Sequence, residues 1–263
     1  MALFALASAK GSPGTTTAAL ALATVWPTDP VLVDLDPSGG DLTWRCRTPD
    51  GEPLDPNRGL LSLGASVRRG AHEAVLEEHL QEIAGGVQVL SGVESAGQTA
   101  GLGAAWGQLP AVFTGYPADV LADCGRVVPG SASLPVLQKA DAVLFVVRPD
   151  IEGVAHLRDR LASLRDTIDL GGLDGAPVAV ATVTSDRDTR SLPDLQQLLA
   201  SEGLTARVLG NLALDARTAD ALRGVGHTRS SRSLLLRSAT ELAARLVDLA
   251  RTPHPSADRG GQR

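Results

Sequence analysis

The sequence predicts a doubly wound α/β domain, a mostly parallel sheet flanked by helices, and three observations carry that expectation. Short aliphatic runs alternate with helix-like segments along most of the chain. The runs are continuously apolar, as in strands covered on both faces. Aromatics make up 3% of the 263 residues against 43% hydrophobic overall, so the core must be built from Ala, Val and Leu. That length suits one well-buried domain better than two. We expect a single domain over residues 1–251 and a disordered polar tail over 252–263, where the chain is rich in Pro and Gly.

In chain order, the first run (3–9) is a strand, and the small residues after it turn the chain into an Ala-rich helix over 15–25. The runs 31–36, 87–90, 119–123, 142–148, 177–184 and 206–210 supply the other strands. Helices are expected over 71–84, 130–139, 151–167 and 193–201, with loops at 48–59 and 91–105. A last helix carries Leu235, Ala239, Leu242, Leu246 and Leu249 at helical spacing, a stripe that reads as core and not as a membrane anchor.

The net charge of −6 argues against a generally basic nucleic-acid surface. Cys46 and Cys124 form no C-x-x-C pair, so neither a disulfide framework nor a zinc site is indicated and a reduced, cytoplasmic setting is expected. No apolar run reaches the ~20 residues of a membrane span. The histidines (His72, His79, His156, His227 and His254) are scattered and read as surface or capping residues. Of the 24 basic residues only Lys10 and Lys139 are lysine, which makes a lysine inside a glycine loop a pointed choice.

That loop is the first chemical signal. Strand, glycine-rich turn and helix together aim backbone N–H groups and a helix dipole at one point, which suits phosphate. The ordinary motif ends in G-K-[ST], with the lysine on the phosphates and the hydroxyl on Mg²⁺. Here the register runs Lys10, Gly11, Ser12, Pro13, Gly14, Thr15, Thr16 and Thr17, so Thr15 holds the lysine position and Lys10 lies at the front of the loop. Such a turn is often only a turn, but its companions raise the phosphate reading. Asp34 and Asp36 end the second strand ahead of Pro37, and alternation places them on one side of the strand end, one to sit beside Mg²⁺ and the other to orient a water. Asp123 ends another aliphatic strand, where an acid is the usual partner of a Mg²⁺-bound water.

In this order the sequence resembles the ParA/MinD superfamily of deviant-Walker, SIMIBI-class P-loop ATPases. The likeness lies in Lys10 to Thr17, Asp34 to Pro37, Asp119 to Asp123, the strand Ala140 to Pro149, and the late block Val208 to Gly226, with Asp215 standing in the nucleotide-base loop. The finer likeness is to the CpaE/TadZ-like branch of Tad pilus systems, through "DLDPSGGDL" and "GVQVLSGVESAG"; no receiver-like domain precedes the loop, and a general ParA-like protein is an equal reading.

The resemblance implies ATP or ADP with Mg²⁺ as cofactors and an ATP-sandwich homodimer. It makes Lys10 the signature lysine that reaches the partner subunit's phosphates and Gly11 to Thr17 the phosphate cradle. Thr16 becomes a Mg²⁺ ligand and Asp36 the residue that positions the attacking water. Asp123 holds a Mg²⁺-bound water, and Asp34 supports the metal site. It also implies cargo positioning for a pilus, secretion, division or partition system. Thr15 departs from the family, which predicts ATP hydrolysis that is weak at most; a catalytically dead scaffold that recognises a protein partner is the alternative, and a P-loop ligase a distant third. Segment 217–251 holds seven arginines against three acids, a pattern that reads first as a solvated helix face and second as weak non-specific DNA binding.

Overall fold

The computed structural model describes residues 1–11, 13–70, 74–172, 175–224 and 233–252. Eight strands form one sheet: β1 Leu3–Ser8, β2 Val31–Asp34, β3 Gln81–Glu82, β4 Gln88–Leu90, β5 Val120–Arg126, β6 Ala142–Val147, β7 Val178–Thr184 and β8 Arg207–Ala213. Their order across the sheet is β3-β4-β2-β5-β1-β6-β7-β8, parallel throughout except for the β3–β4 pair.

Alternation within the buried strands divides the interior in two. In β1, Leu3, Ala5 and Ala7 face one layer while Phe4 and Leu6 face the other. The second layer holds α1 Thr15–Val25 and α10 Leu234–Arg251. The stripe Leu235, Ala239, Leu242, Leu246 and Leu249 is buried there, so it is core, as its spacing predicts. The first layer is built from α3 Leu60–Arg69, α5 Leu109–Thr114, α6 Leu134–Lys139, α7 Ile151–Ile168 and α8 Ser191–Ser201, with the end of α4 Ala96–Leu102. The remaining helices, α2 Leu42–Arg45 and α9 Ala216–Leu222, lie at the carboxyl edge of the sheet.

Three local expectations change. The helix expected over 71–84 is instead a 3-10 turn (76–79) followed by β3, because Gly85 and Gly86 both adopt positive φ and fold β3 back on β4 as a hairpin; residues 71–73 lie outside the described set. The stretch expected as a loop over 91–105 contains α4, whose Ser95 side chain accepts from the Gln98 amide as a helix cap. His79 is buried, with Nδ1 2.7 Å from the Ser62 hydroxyl, so it is an interior group packed under α3. His72, His227, His254, Arg229, Arg232 and residues 253–263 of the expected tail lie outside the described residues.

Asp119 sits at the opposite end of β5 from Asp123. Its carboxylate accepts from the Ala2 amide (2.9 Å), the Trp26 indole (2.9 Å) and the Thr28 hydroxyl (3.3 Å). It ties the amino edge of the sheet to the end of α1 and has no part in the chemistry at the other edge.

At the carboxyl edge, β2 and β5 pair in register with Asp34 beside Asp123. Asp34 is fully buried; its oxygens accept from the Asp36 amide (3.3 Å) and the Leu42 amide (3.2 Å). Gly40 and Gly92 close over it so tightly that a Cβ on Gly40 would stand 2.5 Å from Oδ2. Burial, and then the charge of Asp123, push the Asp34 pKa up to about 8. The folded chain therefore holds a proton that the unfolded chain releases near 3.8, and this contribution to stability is lost as pH rises through the window between the two values. In metal-free protein, Asp34→Asn is expected to flatten the fall in the chemical unfolding midpoint between about pH 5 and pH 8. A variant that keeps the wild-type slope would contradict this assignment.

Candidate functional site

The site grows from the end of β1. The strand is wholly buried, and at its close the chain turns through Gly14, whose φ of 102° lies in the left-handed region that a side chain disfavours. Gly14 is also the N-cap of α1, and its carbonyl accepts from Ala18 (2.8 Å). Among the described residues no side chain caps this helix, and no acid lies in its first turn, so its leading N–H groups are open to an external anion.

These amides border a cleft of about 430 Å³. Gly11, Pro13, Gly14, Thr15, Thr16 and Thr17 form one wall; Asp36, Ser38 and Asp41 form another. The structure thus gathers the loop residues and Asp36, as the motif requires. Ser12 lies outside the described residues. Thr15 is buried and its hydroxyl has no hydrogen-bond partner, so the position where such loops place lysine carries an unsatisfied polar atom and no charge.

Asp34 and Asp36 are not equivalent, although alternation along the strand suggests they should be. β2 stops at Asp34, Leu35 is held to β5 by its amide on the Asp123 carbonyl (2.7 Å), and Asp36 begins a turn. Asp36 accepts from the Ser38 amide (2.8 Å) and presses on the backbone of β5: a Cβ on Gly125 would stand 2.1 Å from Asp36 Oδ2. Gly125 has φ 59°, so both its conformation and its missing side chain are needed there. Burial raises the Asp36 pKa, opposed by the bonds from Ser38. Asp34, sealed beneath, reaches the cleft only through the loop it anchors.

Asp123 lies under the cleft floor. Its Oδ1 accepts from the Gly125 amide (3.1 Å), while its buried Oδ2 has no partner. Burial holds its pKa above the ordinary value; the nearby Thr16 hydroxyl pulls it down without completing a hydrogen bond to Oδ2. An orphaned carboxylate oxygen next to Thr16, at the foot of an uncapped helix start, fits a hydrated divalent cation held together with phosphate. Such an ion takes most of its ligands from water and phosphate and needs only one or two from protein.

Two expected site residues stand apart. Lys10 is exposed and borders a second cleft of about 350 Å³, shared with Val147, Arg148, Asp150 and Glu152 at the start of α7. It does not line the cleft that holds Asp36. Asp215 caps α9: Oδ1 accepts from the Thr218 amide (3.0 Å), and Oδ2 from the Thr218 hydroxyl (2.7 Å) and Ser233 (3.3 Å). Burial would raise its pKa, but these bonds outweigh it and the pKa is lowered. It joins α9 to α10 and does not line the loop cleft.

The cleft also contains Arg45, Arg126 and Arg223, which sequence reasoning missed. Arg126 follows Asp123-Cys124-Gly125 directly and Arg45 follows the Asp36 turn, so position alone could have nominated both.

No protein-family model matches the chain, and no curated protein matches it. Solved structures do. The ParA family ATPase from Chlorobium tepidum is 14% identical, covers 92% of this chain and 97% of its own, and superimposes with a TM-score of 0.69. MinD from Pyrococcus horikoshii, complexed with Mg-ADP, is 17% identical over 95% of this chain and 97% of its own, with a TM-score of 0.68. A McdA–ATP complex from Cyanothece is 16% identical over 94% and 96%, with a TM-score of 0.68. The chain has the fold of the ParA/MinD ATPases.

Proposed function

We propose that this chain is a ParA/MinD-like nucleotide switch: it binds ATP or ADP with Mg²⁺, works as a homodimer, and positions or partitions a cargo. The observation that carries this reading is the uncapped start of α1 facing Asp36, with the unpartnered Asp123 Oδ2 below it. The amides at Gly14 to Thr17 would bind the phosphates, and Thr16 and Asp123 would hold the cation, Asp123 through a water. Asp36 orients the water that attacks the terminal phosphate, its carboxylate fixed by Ser38 and Gly125. When bound, a divalent cation there would neutralise phosphate charge. Lys10, exposed at a cleft it shares with the start of α7, would serve a second subunit in the homodimer.

Thr15 limits the chemistry. A hydroxyl brings no positive charge to a transferring phosphoryl group, and losing one such charged donor costs ~10²- to 10³-fold in rate. Hydrolysis is therefore slow or absent. The same residue favours a second reading, a scaffold that keeps the fold and binds its partner without cycling. Among the described residues no helix is long and apolar enough to cross a membrane. A pilus, secretion, division or partition machine is the cargo class we favour. DNA is a weaker partner: of the C-terminal arginines, Arg223 is paired with Asp220 and Arg245 donates to the Leu209 carbonyl.

Calorimetry with Mg·ATP and Mg·ADP, read beside mass by light scattering, tests the reading. Micromolar binding with an ATP-dependent dimer that Lys10→Ala abolishes is expected; no binding to either nucleotide would leave the scaffold. In steady-state assays Thr15→Lys is expected to raise ATP hydrolysis by ~10²-fold, and an unchanged rate would contradict the role given to that position.

A further inference from the structure

The three arginines of the phosphate cleft are not in the same state. Arg45 is ion-paired with Asp41, four residues before it. Arg223 is ion-paired with Asp220, and its Nε donates to the Ala219 carbonyl (3.2 Å). Arg126 is exposed and, among the described residues, its side chain has neither a carboxylate partner nor a hydrogen bond. Asp36 and Asp41 line the same cleft without pairing with it, and its charge reaches Arg160 on α7, whose pKa is lowered first by burial and then by Arg126.

The backbone at Arg126 is fixed on both sides. It pairs in register with Ser8, at the root of the phosphate loop, and the Ser8 hydroxyl donates to the Gly125 carbonyl (3.3 Å). On its other side, Gly125 carries the contact with Asp36. Arg126 thus emerges between the loop and the acid assigned to the attacking water, where the last phosphate of a bound triphosphate lies on the reading above. A guanidinium fork can grip two phosphate oxygens at once, which suits recognition of a terminal phosphate.

We propose that Arg126 is the cis cation of this site, binding the terminal phosphate of a nucleoside triphosphate from the β5 side and supplying the positive charge that Thr15 does not. The inference rests on the proposed nucleotide function. It adds a consequence that the loop alone does not give: the preference for triphosphate over diphosphate depends on Arg126.

The test is calorimetric titration of the full chain with Mg·ATP and with Mg·ADP, for wild type, Arg126→Ala, Arg126→Gln and the control Arg251→Ala on the far end of α10. We expect both Arg126 variants to melt as wild type does and to weaken ATP by about tenfold or more while changing ADP far less. Adding Thr15→Lys to Arg126→Ala is expected to restore ATP affinity. ATP binding that survives both Arg126 substitutions would overturn the inference and leave the nucleotide reading standing. Equal losses for ATP and ADP, accompanied by a lowered melting temperature, would also overturn it, since that pattern marks a structural role. A wild-type chain that binds neither nucleotide would overturn both.

Discussion

The contact between the Asp36 carboxylate and the backbone of Gly125 is the constraint on which the site depends. A side chain at residue 125 would overlap Asp36, and the residue there must also take a left-handed conformation. With glycine, the turn after β2 lies flat against the end of β5. Asp36 then faces the first turn of α1 across one cleft, Asp123 lies below, and Arg126 emerges beside them. The parallel pairing of β1, β2 and β5 sets the height of all these groups, because strand register fixes which residues stand level at the sheet edge.

This arrangement works against stability. Asp34 and Asp123 are neighbouring buried carboxyls, and each is held above its ordinary pKa mainly by burial. An apolar pair there would fold more readily. Acids placed at such cost sit at functional sites more often than in scaffolds, because burial and mutual repulsion prepare them for a positive charge. The two acids divide the work. Asp34 spends its oxygens on the Asp36 and Leu42 amides and holds the loop, whereas Asp123 keeps one oxygen free.

Much of the fold was legible because it rests on periodicity. Continuous aliphatic runs mark every strand but β3, and the Leu235–Leu249 stripe marks the face that α10 buries. The β3–β4 hairpin was not, because residues 76–84 are apolar often enough to pass for a helix and only the Gly85–Gly86 pair signals the reversal. The loop and the strand-end acids were legible as a motif, but their division of labour was not. Nothing in the spacing of Asp34 and Asp36 says that β2 ends between them, or that Asp119 faces Trp26 and Ala2 at the other edge. The cleft arginines were missed for a related reason: they come from three separate elements, and only the folded sheet edge brings them together.

The claim that joins these features is that backbone amides, not a lysine, hold the phosphates at the start of α1. Backbone ¹⁵N chemical shifts followed through a titration with Mg·ADP test it most directly. The account predicts saturable changes concentrated at the amides of Gly14, Thr15, Thr16 and Thr17, with the far ends of α1 and α10 unaffected. Amides at Gly14 to Thr17 that stay unmoved at saturating nucleotide would contradict it.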